Sequence, residues 1–321
     1  MQHRLDVVTF GEVMAMFVAE EAGRLDAVET YRRSLAGAEV NVAVALSRLG
    51  HRVGWLGRVG DDPFGTYAVR ALAEHGIDVS AVSVDPSAPT GFQLKSRADA
   101  GADPEVRYFR RDSAGSRLAS GPAVDAYLGS ARHLHLTGIP AALSATARDL
   151  SFRAVEVARA AGAGVSFDPN LRPALWPDRA EMVRVVNDLA CRADVVLPGL
   201  AEGEVLTGRA DPRGIAQFYL DRGVRTVVVK LGAPGAVAHD AEECWEHTGF
   251  PVEVVDTVGA GDGFAAGFLS ARLDGLDLRE ALRRACAVGA LATTARGDAE
   301  GMPTRSELQR FLDAHTQAVV A

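Results

Sequence analysis

The chain has 321 residues, 48% of them hydrophobic, and its 34 Lys and Arg residues against 42 Asp and Glu residues give a formal net charge of −8 at pH 7. A chain of this length and composition can bury an apolar core for one large α/β domain or two ordinary ones. The same composition excludes an intrinsically disordered chain. The negative charge, without any basic run, argues against nucleic acid or an anionic membrane as a partner.

The N-terminal residues 1–8 lack the apolar region and cleavage site of a signal peptide, and no apolar stretch of the sequence is long enough to span a bilayer. We therefore expect a soluble, cytoplasmic protein. Residues 5–12 predict a short buried strand that ends at a glycine, and residues 12–19 alternate like a second, half-exposed strand. A helix over 37–50 with a glycine as its stop follows, then a strand over 52–57.

After a helix over 63–75, residues 90–112 interrupt the strand–helix alternation. Two stretches within this segment, 91–96 and 105–110, alternate like the strands of an antiparallel pair. Together with residues 12–19 and 28–35, the segment is expected to form a small sheet that acts as a lid.

The alternation then returns. The sequence predicts strands over 133–138, 164–168, 194–198 and 226–230, helices over 144–161 and 178–191, a hairpin over 235–246, and C-terminal helices over 260–273, 278–294 and 304–313. Strands that alternate with helices are typical of a parallel sheet covered on both faces.

Several loops follow the predicted strands directly. Ligands bind beyond the carboxyl ends of parallel strands, so we expect these loops to line one common edge: 168–172, 197–199, 230–232 and 256–262.

The most distinctive of these loops is Asp256-Thr257-Val258-Gly259-Ala260-Gly261-Asp262-Gly263, which leads directly into an apolar helix. Small residues allow backbone N–H groups to approach a ligand closely, and the unpaired N–H groups of a helix start attract anions. Asp262 lies inside this anion site. A carboxylate at this position is either a helix cap or a catalytic base.

The glycine-rich loop fits neither of two common phosphate motifs. It begins like a dinucleotide fingerprint but has Phe264 where a third glycine is required, which disfavours a nicotinamide-dependent oxidoreductase, and the sequence contains no Gly-Lys-Ser/Thr of a Walker loop. An anion hole with its own carboxylate fits phosphoryl transfer, in which amides stabilise the moving group and the carboxylate accepts the proton of a hydroxyl. Asp262 is therefore interpreted as a base.

Over essentially its full length the sequence resembles the ribokinase, or PfkB, family of carbohydrate kinases. Two motifs carry the resemblance: Ala36-Gly37-Ala38-Glu39-Val40-Asn41-Val42-Ala43 and the loop 256–262. It implies a single ribokinase-like kinase domain over residues 1–321, with a mostly parallel central sheet between two layers of helices and a small β lid. It also implies ATP and Mg²⁺ as cofactors and a small sugar or sugar acid as the substrate.

The resemblance implies that Asp262 is the catalytic base and that the amides of Gly259, Ala260 and Gly261 form the anion hole. The residues that match the nucleotide-binding positions are Lys230, Gly232, Gly235, Thr257 and Gly261. The first three are equally well explained as a strand end and two turn glycines.

The family pattern Asn-x-x-Glu is only half present, since Gly199 replaces the asparagine while Glu202 is retained. The resemblance implies that Glu202 organises the metal through water, and the alternative is an exposed helix residue. Whether a monovalent cation binds near Asp256 is left open.

Gly37 and Asn41 are the implied sugar contacts. Within the family the chain is most similar to 2-keto-3-deoxygluconate kinases, in residues 37–43, 108–116 and 296–301. The carboxylate of that substrate requires a cationic partner.

The candidates for recognising this acid are two arginines, a tyrosine and a glutamine: Arg110, Arg172, Tyr108 and Gln93. Each arginine has a simpler explanation as a solvated surface charge. Gln93 stands where those kinases often have a tyrosine, which favours a related acid or a neutral sugar as the alternative.

The sequence leaves the acceptor open among fructose, ribose, 5-dehydro-2-deoxygluconate and a nucleoside, and a non-catalytic sugar sensor is an alternative of another class. The lid strands have edges that need to be covered, so a homo-oligomer is expected.

Overall fold

The computed structural model describes residues 5–97 and 104–317, so residues 98–103 of the predicted lid segment lie outside the described part. Its strands are β1 (Leu5–Phe10), β2 (Met14–Ala19), β3 (Tyr31–Ala36), β4 (Val53–Leu56), β5 (Arg58–Gly60), β6 (Ser83–Asp85), β7 (Phe92–Lys95), β8 (Val106–Phe109), β9 (Ala131–Thr137), β10 (Gly164–Asp168), β11 (Val195–Val196), β12 (Thr226–Lys230), β13 (Gly235–His239) and β14 (Cys244–Thr248).

Its helices are α1 (Ala38–Arg48), α2 (Pro63–Glu74), α3 (Pro122–Leu128), α4 (Ile139–Leu143), α5 (Ala145–Ala160), α6 (Arg179–Ala190), α7 (Leu200–Thr207), α8 (Pro212–Leu220), α9 (Ala260–Leu273), α10 (Leu278–Ala292) and α11 (Arg305–Gln317). Among the described residues, none of these helices is both long and apolar enough to cross a membrane.

Eight of the described strands form the central sheet, in the order β14-β13-β12-β11-β10-β9-β1-β4. The strands from β12 to β4 are parallel, and β13 and β14 add an antiparallel edge. The strands β1, β10 and β12 are almost wholly buried because both faces of the sheet are covered by helices.

Two apolar cores lie on opposite faces of this sheet. One joins sheet residues such as Phe167 to α5, α6 and α8, and the other joins residues such as Val228 to α1, α2, α9 and α10. The expected α/β fold, with a mostly parallel sheet between two helical layers, is confirmed.

The segments predicted to form the lid contain a second sheet, in the order β3-β2-β7-β8. β2 and β7 are parallel and the other neighbours antiparallel. The prediction of a half-exposed strand over 12–19 is wrong. Both faces of β2 are covered: Met14, Met16 and Val18 on one face are at most 5% exposed, and Ala15 and Ala19 on the other are at most 3% exposed. Phe17, on this second face, packs on Phe64 of α2.

Several short elements are not predicted from the sequence: β5, β6, α3 and α4. Elements of three to seven residues contain too few repeats of either period to be recognised. The boundaries of longer elements differ by a few residues, as for α11, which ends at Gln317 rather than at residue 313.

Candidate active site

The glycine-rich loop and α9 position Asp262 in the first turn of the helix. Gly259 is the N-cap residue, and the Asp262 side chain instead accepts bonds from two distant segments. Asn41 Nδ2 lies 2.8 Å from its Oδ2 atom, and Asn170 Nδ2 lies 3.3 Å from its Oδ1 atom. The helix-cap alternative is therefore wrong for this carboxylate.

The Asp262 carboxyl group is buried, with 9% of the residue exposed. Burial raises the pKa of this carboxyl to about 8, the Asp168 carboxylate adds to the rise, and the bond from Asn41 and the charges of Lys230 and Arg172 oppose it. A carboxyl group with a pKa near neutral is suited to accept and release a proton under physiological conditions.

The loop before Asp262 has a conformation that only glycine fits. Gly259 has φ +84°, and a Cβ atom there would lie 2.2 Å from the backbone oxygen of Asp298. The first i→i−4 bond of the helix runs from Gly263 N to Gly259 O at 2.8 Å, and Ala260 N makes only a 3.4 Å bond to Thr257 O. The amides of the first turn thus form the positive end of α9.

A cavity of about 480 Å³, here called the lid cavity, lies between the lid sheet and the carboxyl ends of the central strands. All of the residues predicted to bind substrate line it: Gly37, Asn41, Gln93, Tyr108, Arg110 and Arg172. Gly259, Gly261 and Asp262 line the same cavity. The structure therefore brings the predicted acceptor contacts together with the predicted base.

A second cavity of about 600 Å³, here called the hairpin cavity, lies beside the β12–β13 turn. Gly232, Gly235 and Ala260 line this cavity and are absent from the lid cavity, and Lys230, Thr257 and Gly261 line both. Gly232 and Gly235 are indeed turn glycines, with φ +73° and +111°. The start of α9 therefore lies where the two cavities adjoin.

Lys230 extends from the end of β12 toward the glycine-rich loop. Its ammonium is 2.5 Å from Asp168 Oδ2 and would be the nearest group, at 3.7 Å, to a Cβ atom on Gly261. Although burial opposes the charge, the Asp168 carboxylate raises the pKa of Lys230 above its ordinary value. A charged ammonium thus lies beside the start of α9.

The inner face of the lid sheet supplies polar groups to the lid cavity. Gln93 is buried and pairs directly with Tyr108 across β7 and β8, while Tyr108 is 51% exposed. Arg110 is not a solvated edge charge, since its side chain is 13% exposed and forms an ion pair with the buried Glu12.

Arg172 and Glu202 lie at the opposite side of the lid cavity. Arg172 is exposed and donates to its neighbour Leu171 O at 2.9 Å. Glu202 accepts from Leu171 N at 2.7 Å and from Gly199 N at 2.8 Å. The alternative of an exposed helix residue is wrong for Glu202, because its carboxylate fixes the loop that carries Arg172.

Sequence reasoning assigns no role to several polar residues that line the lid cavity: Glu12, Glu39, Lys95, Asp168, Asn170 and Asp298. Asn170 has φ +40°, a left-handed conformation that asparagine tolerates better than most residues. Its place directly after β10 is the only sequence signal for it.

Burial raises the pKa of Glu39 to about 7, and its side chain accepts a bond from Thr137.

Comparison with known proteins gives consistent matches. Residues 4–305 match the model of the pfkB family of carbohydrate kinases. The chain is 50% identical over 314 residues to a 2-dehydro-3-deoxygluconokinase from Bacillus subtilis, covering 97% of this chain and 96% of that protein.

Two solved structures match nearly the whole chain. A PfkB protein from Polaromonas sp. JS666 is 47% identical with a TM-score of 0.87, covering 95% of this chain and 99% of that one. A candidate ribokinase II from E. coli, solved in complex with ATP and Mg²⁺, is 30% identical with a TM-score of 0.88, covering 97% of this chain and 100% of that one.

Proposed function

The chain belongs to the pfkB family of carbohydrate kinases, and we propose that it transfers the γ-phosphoryl group of ATP to O6 of 2-keto-3-deoxygluconate. This compound is also named 2-dehydro-3-deoxygluconate, the substrate in the name of the Bacillus subtilis relative. The observation that carries the proposal is the position of Asp262, which lies at a helix N-terminus where two cavities adjoin.

The lid cavity is the proposed site of the sugar acid. Arg110 is neutralised by Glu12, whereas Arg172 forms no direct ion pair within the described part of the chain, although its charge acts on Asp262. Arg172 is therefore the proposed partner of the substrate carboxylate, with Gln93 and Tyr108 as hydrogen-bonding groups for its hydroxyls.

The hairpin cavity is the proposed site of ATP, with its phosphates directed toward the start of α9. Asp262 orients the primary hydroxyl and accepts its proton, while the amides of the first turn and Lys230 stabilise the charge on the phosphoryl group. Bound Mg²⁺ supplies further neutralisation of the phosphates. Glu202 already accepts two backbone N–H groups, so its proposed contact with Mg²⁺ is through water.

The lid sheet is proposed to close over the acceptor and exclude water that would otherwise hydrolyse ATP, as part of a single kinase domain. A homo-oligomer in which lids pair is supported by Phe109, which is 50% exposed and stacks on Phe92 at the edge of the lid sheet. Dependence on ATP supports a cytoplasmic location.

A substrate panel tests the proposed function. ADP formation is measured by a coupled assay with 2-keto-3-deoxygluconate, 5-dehydro-2-deoxygluconate, fructose, ribose and a nucleoside, each with Mg²⁺ and ATP. We expect the highest kcat/KM for 2-keto-3-deoxygluconate. A higher kcat/KM for another acceptor would contradict the proposed substrate, and no acceptor-dependent ADP in the whole panel would favour a non-catalytic sugar sensor.

A further inference from the structure

Lys95 is one of only two lysines in the chain, and it is buried at the end of lid strand β7. Its ammonium lies 2.7 Å from Asp256 Oδ2 and 3.0 Å from Asp298 Oδ1. Its side chain is 2% exposed, and those of the two acids are 9% and 7% exposed. A single ammonium therefore lies between two carboxylates with little access to water.

The two carboxylates belong to two loops that meet at Gly259: Asp256 is in the glycine-rich loop itself, and Asp298 is in the loop that packs against it. Asp256 accepts bonds from Val258 N at 3.1 Å and Gly297 N at 3.2 Å, which tie the two loops together. The backbone oxygen of Asp298 packs directly against Gly259, at the place where a Cβ atom would otherwise be. Any movement of this acidic pair thus moves the loop that presents the first amides of α9.

Two buried carboxylates cannot remain ionised close together without a cation, because each loses its hydration and repels the other. The cation is either a bound ion or a side chain. Burial opposes the charge of Lys95, but the Asp298 and Asp256 carboxylates raise the pKa of its ammonium above the ordinary value, so it is charged. The chain supplies its own cation at this position.

We propose that Lys95 is a positioning residue that acts as a built-in monovalent cation. Its ammonium neutralises the Asp256–Asp298 pair and holds the glycine-rich loop in the conformation that stabilises the transferred phosphoryl group. Phosphoryl transfer consequently needs no added potassium or other monovalent cation at this pair. The inference rests on the proposed kinase function, since the loop is taken to bind phosphate.

The first test compares monovalent cations. Turnover of the wild-type enzyme is measured with Mg²⁺-ATP in potassium, sodium or choline chloride at equal ionic strength. We expect rates within about twofold of one another, because Lys95 already occupies the site. Activation of the wild type by about tenfold or more in potassium over choline would overturn the proposal.

Two variants separate charge from volume. Lys95→Ala removes the ammonium and leaves space, so kcat is expected to fall about 100-fold in choline and to recover at least about tenfold in potassium or ammonium. Lys95→Met fills the space without a charge, so the same loss is expected with no recovery. Equal rates of Lys95→Ala in all salts, or equal recovery of both variants, would contradict the proposal.

A matched control is Arg32→Ala. Arg32 is an exposed lid residue that donates to Arg296 O at 3.2 Å. It therefore contacts the loop that carries Asp298 without forming an ion pair with Asp256 or Asp298. We expect its rate, like that of the wild type, to be independent of the monovalent cation. A potassium response in this variant equal to that of Lys95→Ala would show a general effect of loosening the lid and would overturn the role of the charge.

Thermal unfolding provides a measurement that does not depend on turnover. Potassium is expected to raise the Tm of Lys95→Ala relative to choline, and to leave the wild type and Lys95→Met unchanged, because a ligand stabilises only the folded state that binds it. If the wild type phosphorylates no acceptor, the proposed function fails, while these melting curves still decide the role of Lys95. An equal Tm of Lys95→Ala in both salts would contradict it.

Discussion

Asn41 Nδ2, on α1, lies 2.8 Å from Asp262 Oδ2, on α9. This hydrogen bond joins two residues that are 221 positions apart, one in each of the motifs that carry the family resemblance. The resemblance implies that Asn41 contacts the sugar. In the structure its amide is a donor to the proposed base, so it favours the ionised form of that carboxyl.

Asn41→Ala is expected to shift the pH dependence of the reaction. The bond from Asn41 lowers the pKa of Asp262, which burial raises to about 8, so its removal raises that pKa further. Since the base acts in its ionised form, kcat/KM rises with pH, and this rise is expected at a higher pH in the variant than in the wild type. The measurement is kcat/KM between pH 6 and pH 10.

The control for this shift is Gln93→Ala, which lines the same cavity on the lid side. Its KM is expected to rise while the apparent pKa stays that of the wild type. An unchanged profile in Asn41→Ala, or the same shift in both variants, would show that Asn41 does not act on the base.

Arg172→Ala is expected to reduce selectivity for sugar acids. Loss of a charge-assisted contact to the substrate carboxylate costs about 2 kcal/mol, or roughly 30-fold in kcat/KM, for 2-keto-3-deoxygluconate. Because the charge of Arg172 also lowers the pKa of Asp262, rates are compared at a pH above the pKa of that base, where both enzymes hold it ionised. Neutral sugars lack the carboxylate, so at that pH their smaller kcat/KM is expected to change little. Arg111→Ala is the control, since Arg111 is an exposed arginine of the lid segment that does not line the cavity. Equal losses for acidic and neutral acceptors would contradict the assignment.

Gly259→Ala is expected to reduce turnover more than stability. Its φ of +84° and the contact with Asp298 O at 2.2 Å force the loop to shift when a Cβ atom is added. We expect kcat to fall at least about 100-fold, as when an oxyanion donor is displaced. The free energy of unfolding is expected to fall by about 1 to 3 kcal/mol.

Gly275→Ala provides the matched control at the other end of α9. Gly275 has φ +81° but no atom within 4 Å of its added Cβ, so it carries the same backbone strain without a clash. Similar destabilisation with normal kcat is expected from urea unfolding and steady-state rates. Similar losses of kcat in both variants would show that strain in the helix, not the shape of the loop, limits turnover.

The sequence predicts the sheet well, and it locates the candidate base at a helix start, because both depend on local patterns. The buried strand β12 contains an unbroken run of three valines, which predicts a strand. The glycine-rich loop predicts the start of a helix, with a carboxylate in its first turn. The edge of the sheet follows from topology, since parallel strands end on the same side. The lid strands follow from alternation, whereas the choice of Gln93, Tyr108 and Arg110 within them follows from the family resemblance.

The partners of these groups could not be predicted in the same way. Lys95 and Asp298 are 203 positions apart, and nothing in either segment indicates that lid strand β7 reaches that loop. The ion pair of Glu12 with Arg110 changes Arg110 from a free cation to a neutralised one. The left-handed backbone of Asn170, which directs its amide to Asp262, depends on the fold around it.

The most direct test of the account is turnover by Asp262→Asn with 2-keto-3-deoxygluconate and Mg²⁺-ATP. Asparagine retains the size and the hydrogen-bonding capacity of a helix-start residue but cannot accept the proton of the acceptor hydroxyl. The control is Asp178→Asn, at the start of α6, where the carboxylate accepts from Glu181 N at 2.8 Å as a true cap. Tm and ATP affinity, from thermal unfolding and calorimetry, establish that each variant is folded.

We expect Asp262→Asn to lose at least about 1,000-fold in kcat, while it retains the Tm and the ATP affinity of the wild type and Asp178→Asn remains active. A kcat within about tenfold of the wild type would contradict the account, because a residue that only caps or packs tolerates this substitution.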